Sequence, residues 1–300
     1  MNERYFTIVN PAAGGGRCGK LAPAAIARLR EGGIELDVIA TRSAGHAVSL
    51  AREAYAQGYR RFIAVGGDGT AHEIANGVFP QALEKGRIAL GFLPLGTGNS
   101  FLRDFTDKGA EAAAEALFAG RARPADLIRL THASGVTYSL NLLSIGFTAD
   151  VGALVNRRLK PLGELGYLLG VLTCLVRLRR RAFPLRFDGE PDWDRGRYLF
   201  LSFSNSKFTG GKMMIAPLAD PTDGLIEVVR WGPIGRAGLV RNLPRLYDGT
   251  HITHPLASRR AARHIEFDLD APVDIMIDGE VLTLHCRSLD ILPAALDVYI

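Results

Sequence analysis

Val65-Gly66-Gly67-Asp68-Gly69-Thr70 joins an apolar run, Arg61 to Val65, to a segment of helical composition, Ala71 to Asn76. A glycine-rich turn between a buried strand and a helix exposes backbone N–H groups at the positive end of the helix dipole, a place to hold phosphate. Asp68 is the odd element, because a carboxylate in such a turn is unfavourable without a metal ion or a proton to transfer. Two further segments follow strand-like runs in the same way. Asn10-Pro11-Ala12-Ala13-Gly14-Gly15-Gly16 carries three glycines that let the backbone approach a ligand closely. It is not a Walker A loop, since no GK[ST] follows at the required spacing. Leu93-Pro94-Leu95-Gly96-Thr97-Gly98-Asn99-Ser100-Phe101 offers the Thr97 hydroxyl between two glycines. Ile277-Asp278-Gly279-Glu280, near the C-terminus, reads on its own as a hairpin turn.

The elements that position these turns can be read from the apolar pattern. Tyr5–Val9, Ile34–Ile39, Phe62–Val65 and Ile88–Leu93 are strand-like, and Leu21–Arg30, Gly45–Gln57 and Thr70–Val78 have helical spacing. This alternation predicts an α/β domain over residues 1–127, with a parallel sheet and helices on both faces. Ligands bind such sheets at the carboxyl ends of the strands, where all three glycine turns fall. From residue 128 to 300 the texture changes to short strand signals separated by turns. They lie at Val136–Leu140, Tyr198–Phe203, Leu225–Val229, His264–Leu269, Val273–Ile277 and Val281–His285. They predict a mostly antiparallel β-sandwich, interrupted by a helical insertion from Ala149 to Arg181, with the last residues free to return to the first domain. Within the insertion, Leu162–Leu178 is strongly apolar and ends in arginines. Its competing readings are a buried helix, a helix lining a greasy cleft with arginines toward anionic headgroups, and a marginal membrane span.

A chain of 300 residues with 47% hydrophobic residues and 34 glycines fits a globular α/β protein with many tight turns. Cys18, Cys174 and Cys286 are odd in number and far apart, which argues against a disulfide framework or a cysteine metal site and for a reducing compartment. The N-terminus lacks the long apolar region of a signal peptide. The net charge is +5 and uneven, with arginines at 177, 179, 180 and 181 and again at 259, 260 and 263. Such faces suit anionic lipid, phosphorylated ligands or plain solvation. Aromatic residues do not interleave with them, which argues against nucleic acid.

Taken together and in order, NPxxGGG, GGDGT and LPLGTGN resemble the diacylglycerol kinase catalytic domain superfamily, which includes bacterial soluble lipid kinases, sphingosine kinases and ceramide kinases. Ser144–Asp150 is similar to the family's GxGFDA segment, Met214–Leu225 to its proline-and-DG segment, and Asp278-Gly279-Glu280 falls where the family keeps DGE. The resemblance covers nearly the whole chain. It implies an NAD-kinase-like first domain and an ATP-dependent kinase acting on a lipid hydroxyl. By this likeness Asn10, Pro11, Ala12, Ala13, Gly14, Thr41, Gly66, Gly67, Asp68, Gly69, Thr70, Ala71, His72, Glu73, Gly96, Thr97, Gly98 and Asn99 would meet ATP. Glu280 would accept the substrate proton with Asp278 beside it, and Asp68 would join the Mg²⁺ and phosphate network. Asp220, Asp223 and the carbonyl of Leu225 would form a structural Mg²⁺ site. The chemistry is consistent, because phosphoryl transfer needs charge neutralisation and in-line positioning more than covalent help.

The resemblance further implies cytoplasmic placement with peripheral contact at the inner face of the membrane, where the lipid substrate lies, and it allows a homodimer. Two positions depart from the family pattern. Ser100 stands where many bacterial diacylglycerol kinases have Asp, and Thr148 where Asp is frequent. Diacylglycerol, a sphingoid base, phosphatidylglycerol and other polyol lipids therefore stay open as acceptors. Two other functions compete with the lipid kinase: an NAD kinase, which shares the GGDGT loop, and a non-catalytic nucleotide or lipid sensor on the same fold.

Overall fold

The computed structural model describes residues 2–106, 108–155, 163–176, 178, 180–210 and 212–300. Two compact units emerge. The first takes in residues 1–127, 221–223 and 292–300, and the second residues 128–220 and 224–291.

The first unit follows the strand–helix alternation of its sequence. In chain order it contains β1 (Asn2–Val9), α1 (Arg17–Glu31), β2 (Leu36–Ala40), α2 (His46–Ala56), β3 (Tyr59–Gly66), α3 (Asp68–Val78), α4 (Gln81–Lys85), β4 (Ala89–Pro94) and α5 (Gly109–Phe118), and it ends inside β5 (Ala122–His132). The strands lie side by side as β2-β1-β3-β4, all parallel. Central β3 is buried from Phe62 to Gly66, as its unbroken apolar run requires of a strand covered on both faces. Helix α2 buries Ala47, Leu50, Ala51, Ala54 and Tyr55 on one stripe. It packs so closely on α3 that a Cβ at Gly77 would stand 2.4 Å from the Val48 carbonyl oxygen.

The second unit continues through β6 (Gly135–Ser139), β7 (Leu142–Gly146), α6 (Phe147–Leu154), α7 (Gly163–Val176), β8 (Arg181–Ala182), β9 (Leu185–Phe187), β10 (Arg197–Tyr198), β11 (Phe200–Ser204), β12 (Phe208–Thr209), β13 (Met213–Met214) and β14 (Ile226–Trp231). After α8 (Arg236–Asn242) and α9 (Arg245–Asp248) come β15 (Ala257–Ala262), β16 (His264–Phe267), β17 (Val273–Ile277), β18 (Glu280–Leu284) and the long β19 (Cys286–Tyr299). A six-stranded sheet, β15-β14-β11-β7-β17-β18, is antiparallel throughout. One face buries Leu143, Ile145, Leu201, Phe203, Val228 and Ile275 against Phe187, Ile265, Phe267 and Leu289 of a second layer, which is a sandwich core. The opposite face buries Phe200 and Trp231 under α6 and α7. The insertion is therefore two helices. The first starts at Phe147, two residues before the sequence pattern suggested, and residues 156–162 lie outside the described residues.

Among the described residues no helix is long and apolar enough to cross a membrane. None of Cys18, Cys174 and Cys286 forms a disulfide. Burial pushes the Cys286 thiol up to about 12 and raises that of Cys18 as well, so both are poor nucleophiles.

Candidate functional site

The three glycine turns leave the carboxyl ends of adjacent parallel strands. The pairs Val9–Val65 and Gly66–Pro94 put the ends of β1, β3 and β4 at one level. There the turns close on each other through backbone bonds. The Gly96 N–H donates to the Gly66 carbonyl at 2.7 Å, the Asp68 N–H to the Gly98 carbonyl at 2.9 Å, and the Asn10 N–H to the Val65 carbonyl at 2.9 Å. No side chain fits between them. A Cβ on Gly67 would lie 2.5 Å from the Gly98 oxygen, and one on Gly96 would lie 2.7 Å from the Gly67 nitrogen. Glycine here is a requirement of close approach.

Asp68 opens α3, where a carboxylate is favoured by the helix dipole. Its Oδ2 accepts the Ser100 N–H at 2.7 Å and its Oδ1 the Phe101 N–H at 3.3 Å. The acid that looked out of place in a phosphate turn thus ties that turn to the third loop. Ser100, the departure from the family pattern, is buried and supplies one of these amides. Thr70 is 3% exposed, and its hydroxyl has no hydrogen-bond partner, so an unsatisfied donor faces the turn.

The other expected contacts divide by what their side chains already hold. Asn10 Oδ1 accepts the Ala12 N–H at 3.2 Å and rigidifies the first loop, whose Pro11, Ala13 and Gly14 are half-buried. Asn99 Nδ2 donates to the Gly96 carbonyl at 3.1 Å. Thr97 is exposed on the third loop, and a Cβ on Gly69 would meet nothing, which leaves open space beside the second. Ala71 is buried beneath the helix start, and the His72 ring lies against Asn76. The Thr41 N–H donates to the Val9 carbonyl at 2.8 Å, which sets the exit of β2 beside that of β1. Glu73 turns away to α2, where its two oxygens accept the Gly45 and Ala47 N–H groups, each at 2.9 Å. Its role is to hold the turn that follows Thr41.

The sequence reading missed Arg17. Its guanidinium Nη2 donates to the Gly96 carbonyl at 2.9 Å and its Nε to the Leu95 carbonyl at 3.4 Å, binding the first loop to the third. A cation directly after three glycines was the available signal.

In the second unit Asp278 takes φ 48° at the β17–β18 turn, and Gly279 takes φ 93°. Asp278 is 7% exposed. Its carboxylate accepts the Ser139 hydroxyl at 2.6 Å and the N–H groups of Leu140, Asn141 and Leu142 at 3.0, 3.0 and 3.1 Å. Glu280, paired with Ile277 across the turn, is exposed. The two acids are therefore unlike: one is fastened, the other open to a ligand. At the other family segment, the Thr148 hydroxyl donates to Ser144 Oγ at 2.9 Å. Asp150 is held by Arg181 Nη2 at 2.7 and 2.6 Å and is not available to replace an acid at position 148.

Asp220 and Asp223 are exposed on the turn that leads to Leu225, with residues 221–223 belonging to the first unit. Among the described residues no three His, Cys, Asp or Glu side chains converge to hold a metal. The expected set, two carboxylates and a carbonyl, is of another kind, since all its donors are hard oxygens of the sort Mg²⁺ takes.

A parallel α/β unit with glycine turns at its strand ends, followed by an antiparallel sandwich, is the two-domain plan that the family models describe. Residues 4–130 match the model of the diacylglycerol kinase catalytic domain. Residues 141–300 match that of the YegS C-terminal NAD kinase beta sandwich-like domain. The chain is 30% identical to a diacylglycerol kinase of Mycobacterium tuberculosis (strain ATCC 25618 / H37Rv), over 98% of its own length and 94% of the relative's. It is 35% identical to a Pseudomonas aeruginosa PAO1 protein named "Probable lipid kinase YegS-like", over 92% and 88% of the two chains. The crystal structure of a diacylglycerol kinase from Bacillus anthracis str. Sterne superposes with a TM-score of 0.70 at 20% identity, covering 99% of this chain and 96% of that one. The chain belongs to the diacylglycerol kinase and YegS-like lipid kinase family.

Proposed function

We propose that this protein transfers the γ-phosphate of ATP, with Mg²⁺, to a hydroxyl of a lipid such as diacylglycerol or a sphingoid base. The observation that carries the reading is the close packing of Gly66, Gly67, Gly96 and Gly98 at the strand ends, with open space beside Gly69 at the start of α3 and a buried Thr70 hydroxyl that lacks a partner. Backbone amides at a helix start neutralise phosphate charge without selecting a base or sugar. Asp68 keeps the second and third loops in register, so the loops are ordered before the nucleotide arrives.

Glu280 receives the proton of the attacking hydroxyl. Its exposed carboxylate suits that role, and the four bonds on Asp278 suit a group that positions the turn carrying Glu280. Asp220, Asp223 and the Leu225 carbonyl are proposed to hold Mg²⁺ through hard oxygen donors. When bound with the nucleotide, Mg²⁺ supplies neutralisation of the charge that builds on the transferring phosphate. The substrate is met at a membrane surface, in the cytoplasm.

The test is incubation with labelled ATP, Mg²⁺ and a total lipid extract, with NAD as a separate acceptor. The expected outcome is label in one lipid species, abolished by a chelator. Label on NAD in place of lipid would establish the soluble-acceptor alternative. Nucleotide binding with no transfer to any acceptor would establish a sensor.

A further inference from the structure

We propose that the second unit carries a docking site for the phosphate of an anionic lipid headgroup, in the cleft formed by Arg180, Arg197 and Arg236 at the end of α7. The proposal rests on the reading that the acceptor is met in a membrane, and it adds which surface meets that membrane. Leu178 and Gly235 complete the lining of this cleft, whose volume is about 430 Å³.

The arginines are placed by the fold. Arg236 donates from Nε to the Leu175 carbonyl at 3.0 Å and from Nη2 to the Val176 carbonyl at 2.8 Å, at the negative end of the α7 dipole. Arg180 Nη2 donates to the Ile234 carbonyl at 3.3 Å. Each guanidinium has five N–H donors, so both keep donors to spare. No described carboxylate pairs with these three cations. Their neighbours in the same unit differ: Arg181 meets Asp150, Arg259 meets Glu227, and Arg260 meets Glu190. The second arginine cluster of the sequence is thus partly neutralised within the chain, while this cleft gathers like charges whose mutual repulsion a phosphate relieves.

The adjoining surface selects a lipid over a free phosphate. Helix α7 packs Val171, Cys174 and Leu175 onto the core, as does Leu178 beyond its end. On its opposite stripe Leu169, Leu172 and Val176 are 40%, 48% and 71% exposed, at spacings of three and four residues. Val240, 49% exposed, lies one turn beyond Arg236 on α8. An uncovered apolar stripe that runs into a cationic cleft matches the boundary between acyl chains and headgroups. The described part of α7, 14 residues or about 21 Å, is shorter than the ~30 Å hydrocarbon core, and its exposed stripe suits a helix lying along the bilayer surface.

The experiment is sedimentation of the whole protein, without nucleotide, with vesicles of phosphatidylcholine alone or mixed with phosphatidylglycerol. Binding is expected only to the mixed vesicles. Arg180→Ala and Arg197→Ala should each weaken it about fivefold, the effect of one basic residue at an anionic surface, and Leu172→Ser should weaken it with unchanged thermal stability. The Arg197 side chain makes no hydrogen bond among the described residues, so Arg197→Ala keeps the test independent of folding. Wild-type binding by the Arg180→Ala/Arg197→Ala double variant would overturn the proposal, as would equal binding to neutral vesicles. Binding of inorganic phosphate, lost in the double variant, with no binding to either vesicle would overturn the lipid as its source. Because no ATP is present, failure here leaves the transfer reaction to be judged by its own assay.

Discussion

Asp68 and Asp278 are both acids of a turn beside glycine, and both accept backbone N–H groups, yet they sit in different kinds of structure. Asp68 is half-buried at a helix start, holds two amides of one loop, and borders the open space beside Gly69. Asp278 is buried in a left-handed conformation and is saturated by three amides and a hydroxyl. An acid with acceptor capacity near an opening can serve a ligand. An acid whose lone pairs are spent on the chain serves the fold, which is why the catalytic part is proposed for its exposed neighbour, Glu280.

The sharpest way to break this contrast is Glu280→Gln. It should lower kcat about a thousandfold, roughly 4 kcal/mol of transition-state stabilisation, with an unchanged melting temperature, because the side chain is exposed. An equal loss of stability would make Glu280 a structural residue. Asp278→Ala comes next: it leaves three backbone donors and the Ser139 hydroxyl without their acceptor, and urea unfolding should show a loss of about 3 kcal/mol. A stable, inactive variant would return Asp278 to the chemistry. Asp68→Asn should cut kcat/KM for ATP about a hundredfold, near 2.7 kcal/mol, while circular dichroism stays native.

The smallest effect concerns neither acid. Burial opposes the charged form of His264, but the hydrogen bond and charge of Asp290, 2.7 Å away, and those of Glu266 outweigh it and raise the pKa. A raised value means that the interaction is fully present below the unfolded-state pKa of about 6.5 and fades as pH climbs through the folded one. His264→Gln should therefore destabilise more at about pH 5.5 than at about pH 8.5, as measured by urea midpoints.

The first unit was legible because its signals are local. An apolar run such as Phe62–Val65 and a glycine turn each state their own geometry, and together they marked the cradle. The β17 strand, Val273–Ile277, was readable for the same reason. By contrast, β15 is Ala-Ser-Arg-Arg-Ala-Ala, with no apolar alternation, and it is a strand because β14 offers it an edge and Glu227 meets Arg259. Strand β5 hides behind Arg123, Pro124 and Asp126 in the same way. Within the site, the tasks of Glu73, Asp68 and Asp278 depend on partners 26 to 139 positions away. Tertiary packing decides those partners, and no spacing rule carries them.

Strand β19 has a consequence for how the protein is made. It turns at Ala294, which takes φ 48° and whose N–H is held at 2.7 Å by the buried Asp126, and then its last residues pair with β4 through Asp297–Ala89 and Val298–Leu90. During synthesis the β4 edge, which follows the GGDGT helix, must wait for some two hundred more residues. At ribosomal speeds of about 5–20 residues per second this is a delay of roughly 10–40 s. For that interval the nascent chain displays an apolar strand with one unpaired edge, of the kind that recruits foreign strands. Expression yield should therefore depend on elongation rate and chaperone supply more than on the stability of the finished molecule.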